Sequence, residues 1–228
     1  MTVRLVCGRA GAGKTEYILR SIADELKKAP RGREILLLVP EQSSYIYERA
    51  LACDYGLAGF GRCRVTSFRH LVYGTRKAAG VNLPLLTGAA RQMALLAVLK
   101  ENSEDLALFG RSAAQKNFAA ALLQSIDELA AWQITPQMLK EAAEHLGGEG
   151  GGLQKKLHDL SLIYSSYEAF CAGSYLDAAA ELQFLAREIA GGYLEGTTCY
   201  IDGFAAFSPL ELSVIAALGH SCQKLEIA

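Results

Sequence analysis

Val3-Arg4-Leu5-Val6-Cys7 followed by Gly8-Arg9-Ala10-Gly11-Ala12-Gly13-Lys14-Thr15 sets the frame for the rest of the chain. The first five residues are a short apolar run, which predicts a buried strand. The next eight match G-x-x-x-x-G-K-[ST]. Beyond them Ile18, Leu19, Ile22, Ala23 and Leu26 recur at helical spacing over Thr15–Lys28. Strand, glycine turn and helix in that order are what a phosphate-binding loop requires. The glycines let backbone N–H groups curl round phosphate oxygens, and the helix N-terminus adds its positive end. Lys14 is placed to reach the β/γ-phosphates and the Thr15 hydroxyl to ligate magnesium. The expected nucleotide-binding residues are therefore Gly8, Arg9, Ala10, Gly11, Ala12, Gly13, Lys14 and Thr15, with ATP and Mg2+ as the bound species.

Further along, Pro30-Arg31-Gly32 ends the first helix. Ile35–Val39 is continuously apolar and of strand length, the pattern of a strand covered on both faces of a parallel sheet. A helix is expected over Ser43–Cys53, a strand over Arg62–Thr66 and a helix over Phe68–Ala79. From 87 to 190 the pattern is helical throughout: Ala89–Leu99, Phe118–Trp132, Pro136–Leu146, Leu153–Phe170 and Ala178–Ile189. Thr135-Pro136 is a helix start, with Thr as cap and Pro in the first turn. Gly147–Gly152 reads as a flexible link. Strand character returns at Thr198–Asp202. Ser208-Pro209-Leu210-Glu211 has capping-box spacing, and Lys224–Ala228 closes with a strand. The expected fold is α/β with a parallel sheet (1–86 and 191–228) interrupted by an all-helical insertion (87–190). Ending on a strand suggests a fragment of something longer.

The chain has 228 residues and a net charge of −1, but residues 1–80 carry net +7 and residues 81–228 net −8. The basic end suits an anionic partner. Hydrophobic residues make up 51%, enough for a packed core and too many for disorder. No apolar run approaches a membrane span, and Met1-Thr2-Val3-Arg4 lacks a signal peptide, so a cytoplasmic location without membrane contact is expected. Six scattered cysteines form no C-x-x-C pair, which predicts reduced thiols.

A phosphate loop needs an acid at the end of a nearby strand to hold magnesium through water. Asp202 is the candidate, making Thr15 and Asp202 the expected metal residues; an ordinary Asp-Gly turn is the plain alternative. Hydrolytic motors usually carry a glutamate next to this aspartate to activate water. Here the position is Gly203, so no catalytic residue is assigned and turnover is expected to be poor.

These segments resemble superfamily 1 helicases. Gly8–Thr15 is similar to their motif I, Ile35–Gln42 to motif Ia, Val65–Leu71 to motif Ib and Tyr200–Phe204 to motif II, with Gly203 for the usual Glu and Ala205 for Gln. More narrowly, Leu38-Val39-Pro40-Glu41-Gln42, Lys156–Tyr164 and Ile201–Pro209 resemble the N-terminal region of the B subunits of bacterial AddAB-type ATP-dependent helicase–nucleases. The resemblance implies a P-loop, RecA-like first motor domain (1A) with a helical 1B-type insertion. It implies a heterodimeric AddA-type partner that drives translocation, a substrate of single- and double-stranded DNA ends at double-strand breaks, and Chi recognition in single-stranded DNA. It also implies a nuclease with a 4Fe-4S cluster in a region beyond Ala228.

In superfamily 1 folds the loops after motifs Ia and Ib face single-stranded DNA, which here means Gln42, Ser44, Phe68, Arg69, His70 and Tyr73. Gln reads base edges, aromatics stack on unpaired bases and Arg neutralises phosphate. Each has a plain alternative: Gln42 and Ser44 as helix caps, Phe68 and Tyr73 as packing, His70 as an ordinary surface residue. Two other functions fit a phosphate loop. A small-molecule kinase needs an arginine-bearing lid, for which the insertion offers only Arg91, Arg111 and Arg187. A non-catalytic scaffold would use nucleotide only for stability.

Overall fold

The computed structural model describes residues 2–57, 59–110, 116–146 and 151–228. Most of the expected Gly147–Gly152 link lies outside them. The chain divides into two compact units: Met1–Val81 with Leu182–Phe207 and Glu211–Ala228, and Asn82–Glu181 with Ser208–Leu210.

The first unit is built on a sheet of five parallel strands in the order β1-β5-β4-β2-β3. These are β1 (Thr2–Leu5), β2 (Ile35–Leu38), β3 (Cys63–Thr66), β4 (Thr198–Ile201) and β5 (Lys224–Ile227). Parallel strands need crossovers, and the helices α1 (Lys14–Lys28), α3 (Phe68–Ala78) and α9 (Pro209–Ser221) lie between strands along the chain. β2 is an interior strand between β4 and β3, and all four of its side chains are buried. They alternate between two cores. Ile35, Leu37 and Val39 meet Ile18, Leu19, Ile22 and Leu26 of α1 together with Tyr47, Leu51 and Tyr200. Leu36 and Leu38 meet Phe68, Leu71 and Val72 of α3 with Val214 and Leu218 of α9. A strand packed on both faces must be apolar at every position, and Ile35–Val39 is.

Two expectations change. β1 is not buried: Val3 is 49% and Leu5 67% exposed. It lies at the sheet edge, hydrogen-bonded to β5 alone, so an apolar run of strand length here does not mean two-sided cover. The helix expected over Ser43–Cys53 is three short pieces: a 3-10 turn Glu41–Ser43, α2 (Ser44–Arg49) and a π-helical turn Ala50–Asp54. Such wide turns reposition side chains downstream of them.

The second unit is helical. It contains α4 (Gly88–Glu101), α5 (Lys116–Ala131), α6 (Pro136–His145), α7 (Gly151–Cys171) and the first turn of α8 (Ala178–Ala190). Leu95, Leu99, Ile126, Leu139, Ile163 and Tyr167 form its core. Thr135 caps α6 by accepting from the Met138 N–H at 3.2 Å, with Pro136 at the first helical position. Asp159, completely buried, accepts the backbone N–H groups of Ala107, Leu108 and Phe109 at 2.9, 2.7 and 2.9 Å. Arg91 is gripped by both carboxylate oxygens of Asp127 at 3.0 and 2.6 Å, and its Nε donates to the Tyr167 hydroxyl at 3.1 Å. Among the described residues no helix is long and apolar enough to cross a membrane.

Candidate functional site

The turn between β1 and α1 holds two left-handed residues, Gly11 at φ 78° and Gly13 at φ 81°. Only glycine takes this conformation without strain. Left-handed residues in tight succession make successive N–H groups converge, the geometry of an anion-binding nest. Gly13 is the N-cap of α1 and carries no side chain to satisfy the free N–H groups there, so the helix end is open to an anion. The remaining glycine, Gly8, sits where a Cβ would lie 3.1 Å from the Ala12 Cβ. Lys14 folds over the turn, its Nζ donating to the Gly8 and Arg9 carbonyls at 3.0 and 3.3 Å. Thr15 is exposed beside it.

Asp202 follows β4 directly and is 3% exposed. Its N–H donates to the Leu38 carbonyl at 3.1 Å, so the pairing of β4 with β2 fixes its backbone. One carboxylate oxygen accepts the Gly203 N–H at 2.9 Å, and the other accepts the Tyr47 hydroxyl at 3.0 Å. Burial, the Asp202 charge and the hydrogen bond to Asp202 together push the Tyr47 hydroxyl up to about 12, so it stays a donor at neutral pH.

These groups share one cavity of about 930 Å³. Gly11, Gly13, Lys14 and Thr15 line one part, Asp202, Gly203, Phe204 and Ala205 another, and Asp54 with Tyr55 a third. The volume is in the range of cofactor clefts. The Thr15 hydroxyl and the Asp202 carboxylate are hard oxygen donors, the kind magnesium takes while keeping water and phosphate oxygens in its shell. Among the described residues no group of three or more His, Cys, Asp or Glu side chains could hold a metal, so a cation here needs a ligand's own oxygens. All six thiols are free, four of them buried.

The other expected residues fall into two sets. Gln42, Arg69, His70 and Tyr73 are exposed, Tyr73 at 68%. Arg69 pairs with Glu41 at 3.0 Å, and the His70 ring lies 3.3 Å from the Ser67 hydroxyl that caps α3. Phe68 is instead core, edge-on to Phe204 with ring centroids 5.6 Å apart. Ser44 is half-buried with its hydroxyl enclosed.

Sequence reading missed Tyr47, which meets Asp202 across 155 positions; its only local sign is the four-residue spacing to Leu51, the two being the buried residues of α2 and of the π-helical turn that follows it. It also missed Tyr45, 72% exposed on the same helix, and the cavity-lining Asp54 and Tyr55.

A parallel α/β unit, with a glycine turn opening a helix and an aspartate at a nearby strand end, sets the class. Within it, the chain belongs to the ADDB N-terminal family, whose model matches residues 5–228. It is similar to proteins named as the B subunit of an ATP-dependent helicase/deoxyribonuclease. It is 40% identical to that of Heliobacterium modesticaldum, over 100% of this chain and 19% of the relative. It is 37% identical to that of Desulforudis audaxviator, over 100% and 20%, and 33% identical to that of Natranaerobius thermophilus, over 100% and 20%. The chain thus spans about a fifth of the length of these relatives.

Proposed function

We propose that this chain is the nucleotide-binding, DNA-contacting N-terminal part of the B subunit of a helicase/deoxyribonuclease that serves DNA repair by recombination. In this reading the first unit is a P-loop, RecA-like domain of the first-motor (1A) type, and 87–190 is its 1B-type insertion. The observation that carries it is the shared cavity of the Gly8–Thr15 turn and Asp202. A nucleotide's phosphates would lie in the turn at the N-terminus of α1, with Lys14 released from the Gly8 and Arg9 carbonyls to contact them. Thr15 and Asp202 are the residues that would hold magnesium, in competition with the hydrogen bond that Asp202 accepts from Tyr47. The position next to Asp202 supplies no water-activating side chain: residue 203 is glycine. The protein therefore binds ATP without turning it over efficiently. An AddA-type partner drives translocation, and the cluster-bearing nuclease lies outside these 228 residues.

The kinase reading is weaker. Arg91 is committed to Asp127 and Tyr167, which leaves it no part in a phosphate lid.

Single-stranded DNA contacts the exposed set Gln42, Tyr45, Arg69, His70 and Tyr73. Two exposed tyrosines offer stacking faces, and Arg69 offers charge. The Arg69–Glu41 pair is exposed on both sides, 73% and 48%, so it is worth little and a phosphate competes with Glu41 readily. Arg69→Glu is expected to weaken single-stranded DNA binding about tenfold and to lower the salt slope by about one. Glu41→Gln is expected to strengthen binding about twofold. Fluorescence anisotropy across a salt series measures both. Unchanged affinity in Arg69→Glu removes this face from the DNA contact and favours the scaffold reading.

A further inference from the structure

We propose that the Tyr47 hydroxyl is a built-in competitor for the cation position, holding the Asp202 carboxylate and blocking any side chain at 203. This rests on the nucleotide reading above.

The ring of Tyr47 is locked. It is 8% exposed and packs among Leu51, Ile18 and Leu19, so the phenol oxygen is held in place by core contacts. That oxygen donates to Asp202 at 3.0 Å. The second Asp202 oxygen is already taken by the Gly203 N–H at 2.9 Å. A magnesium ion needs a lone pair of Thr15 and an Asp202 oxygen reached through water. The phenol and the Gly203 N–H each hold one Asp202 oxygen, so a metal-bound water has to compete with them for the carboxylate.

The same oxygen governs position 203. A Cβ built on Gly203 would lie 2.8 Å from it and 3.3 Å from the Pro40 Cδ, and Gly203 has φ 84°. Any larger residue at 203 meets an oxygen that the core does not let move, in a backbone conformation that side chains disfavour. The absence of a water-activating glutamate is therefore a property of two residues, Gly203 and Tyr47. Restoring the glutamate alone leaves the centre blocked.

The experiment uses Tyr47→Phe, which keeps the packed ring and removes only the hydroxyl. Affinity for a fluorescent ATP analogue is measured in magnesium and in EDTA. In the wild type the two affinities are expected within about threefold; in Tyr47→Phe magnesium is expected to strengthen binding by about tenfold over EDTA, the scale of a lost hydrogen bond to a charged group. A Tyr47→Phe ratio equal to that of the wild type overturns the proposal.

A nucleotide-free arm measures urea unfolding for Tyr47→Phe, Gly203→Ala and the double variant. Gly203→Ala is expected to lower the folding constant at least about fivefold less in the Tyr47→Phe background. Additive effects refute the block at 203. If the wild type binds no nucleotide in either condition, the nucleotide reading has failed, and the unfolding cycle still decides the Tyr47–Gly203 contact.

Discussion

Asp159→Ala is expected to destabilise the helical unit by about 3–5 kcal/mol, more than any other polar substitution proposed for this chain. The reason is a count of orphaned groups. Asp159 is fully buried and takes three consecutive backbone N–H groups, those of Ala107, Leu108 and Phe109. A buried N–H left without a partner costs about 1–3 kcal/mol, and alanine leaves all three. Asn keeps one acceptor oxygen but turns an NH2 donor toward the other N–H groups, so Asp159→Asn is expected to lose about 2 kcal/mol. His158 lies 3.6 Å from the same carboxylate but is 59% exposed, so it adds little. The single tryptophan, Trp132, lies in this unit. Denaturant unfolding followed by its fluorescence measures the change, and hydrogen exchange shows whether lost protection is confined to 82–181. A loss below about 1 kcal/mol for the alanine variant contradicts this role.

Phe68→Ala is expected to cost about 3–4 kcal/mol while leaving single-stranded DNA affinity unchanged for the folded fraction. Phe68 is 8% exposed, packs with Leu36, Leu38 and Leu71, and stacks edge-on against Phe204. Removing it opens a cavity in the core that seats α3 on the sheet. Its neighbours Arg69, His70 and Tyr73 project outward from the same helix, so Tyr73→Ala should show the opposite pattern, with stability held and DNA binding weakened. Urea unfolding and anisotropy on the same preparations separate the two. A Phe68→Ala variant of wild-type stability with weakened binding reverses the assignment.

Phe68 also shows what sequence could and could not reveal. Helical spacing placed Phe68 on α3, but whether the first residue of that helix faces core or solvent depends on Phe204, 136 positions later in the chain. Local patterns carried further where one element determines its own burial. Ile35–Val39 announced a strand covered on both faces because every position had to be apolar. Gly8–Thr15 announced a glycine turn at a helix start because the backbone conformation there demands glycine. β1 was misjudged because edge or centre is decided by which strands pair, not by the run itself. Tyr47 was missed for the same reason. Its partner Asp202 arrives only after β4 has returned beside β2, and no spacing in the sequence encodes that meeting. Asp159 fell inside the helical pattern Leu153–Phe170 with no sign of its role, because its three N–H partners lie about fifty positions away.

The proposed nucleotide site, with binding kept and turnover lost, calls for magnesium–ATP affinity and phosphate release measured on the same sample, wild type beside Lys14→Ala. Loss of the Lys14 ammonium from the phosphates is expected to weaken binding about 100-fold, the scale of two charge-assisted hydrogen bonds. Phosphate release is expected to stay at the buffer rate in both proteins. Brisk release that depends on Lys14 would overturn this reading, because the chain would then activate water without a side chain at position 203.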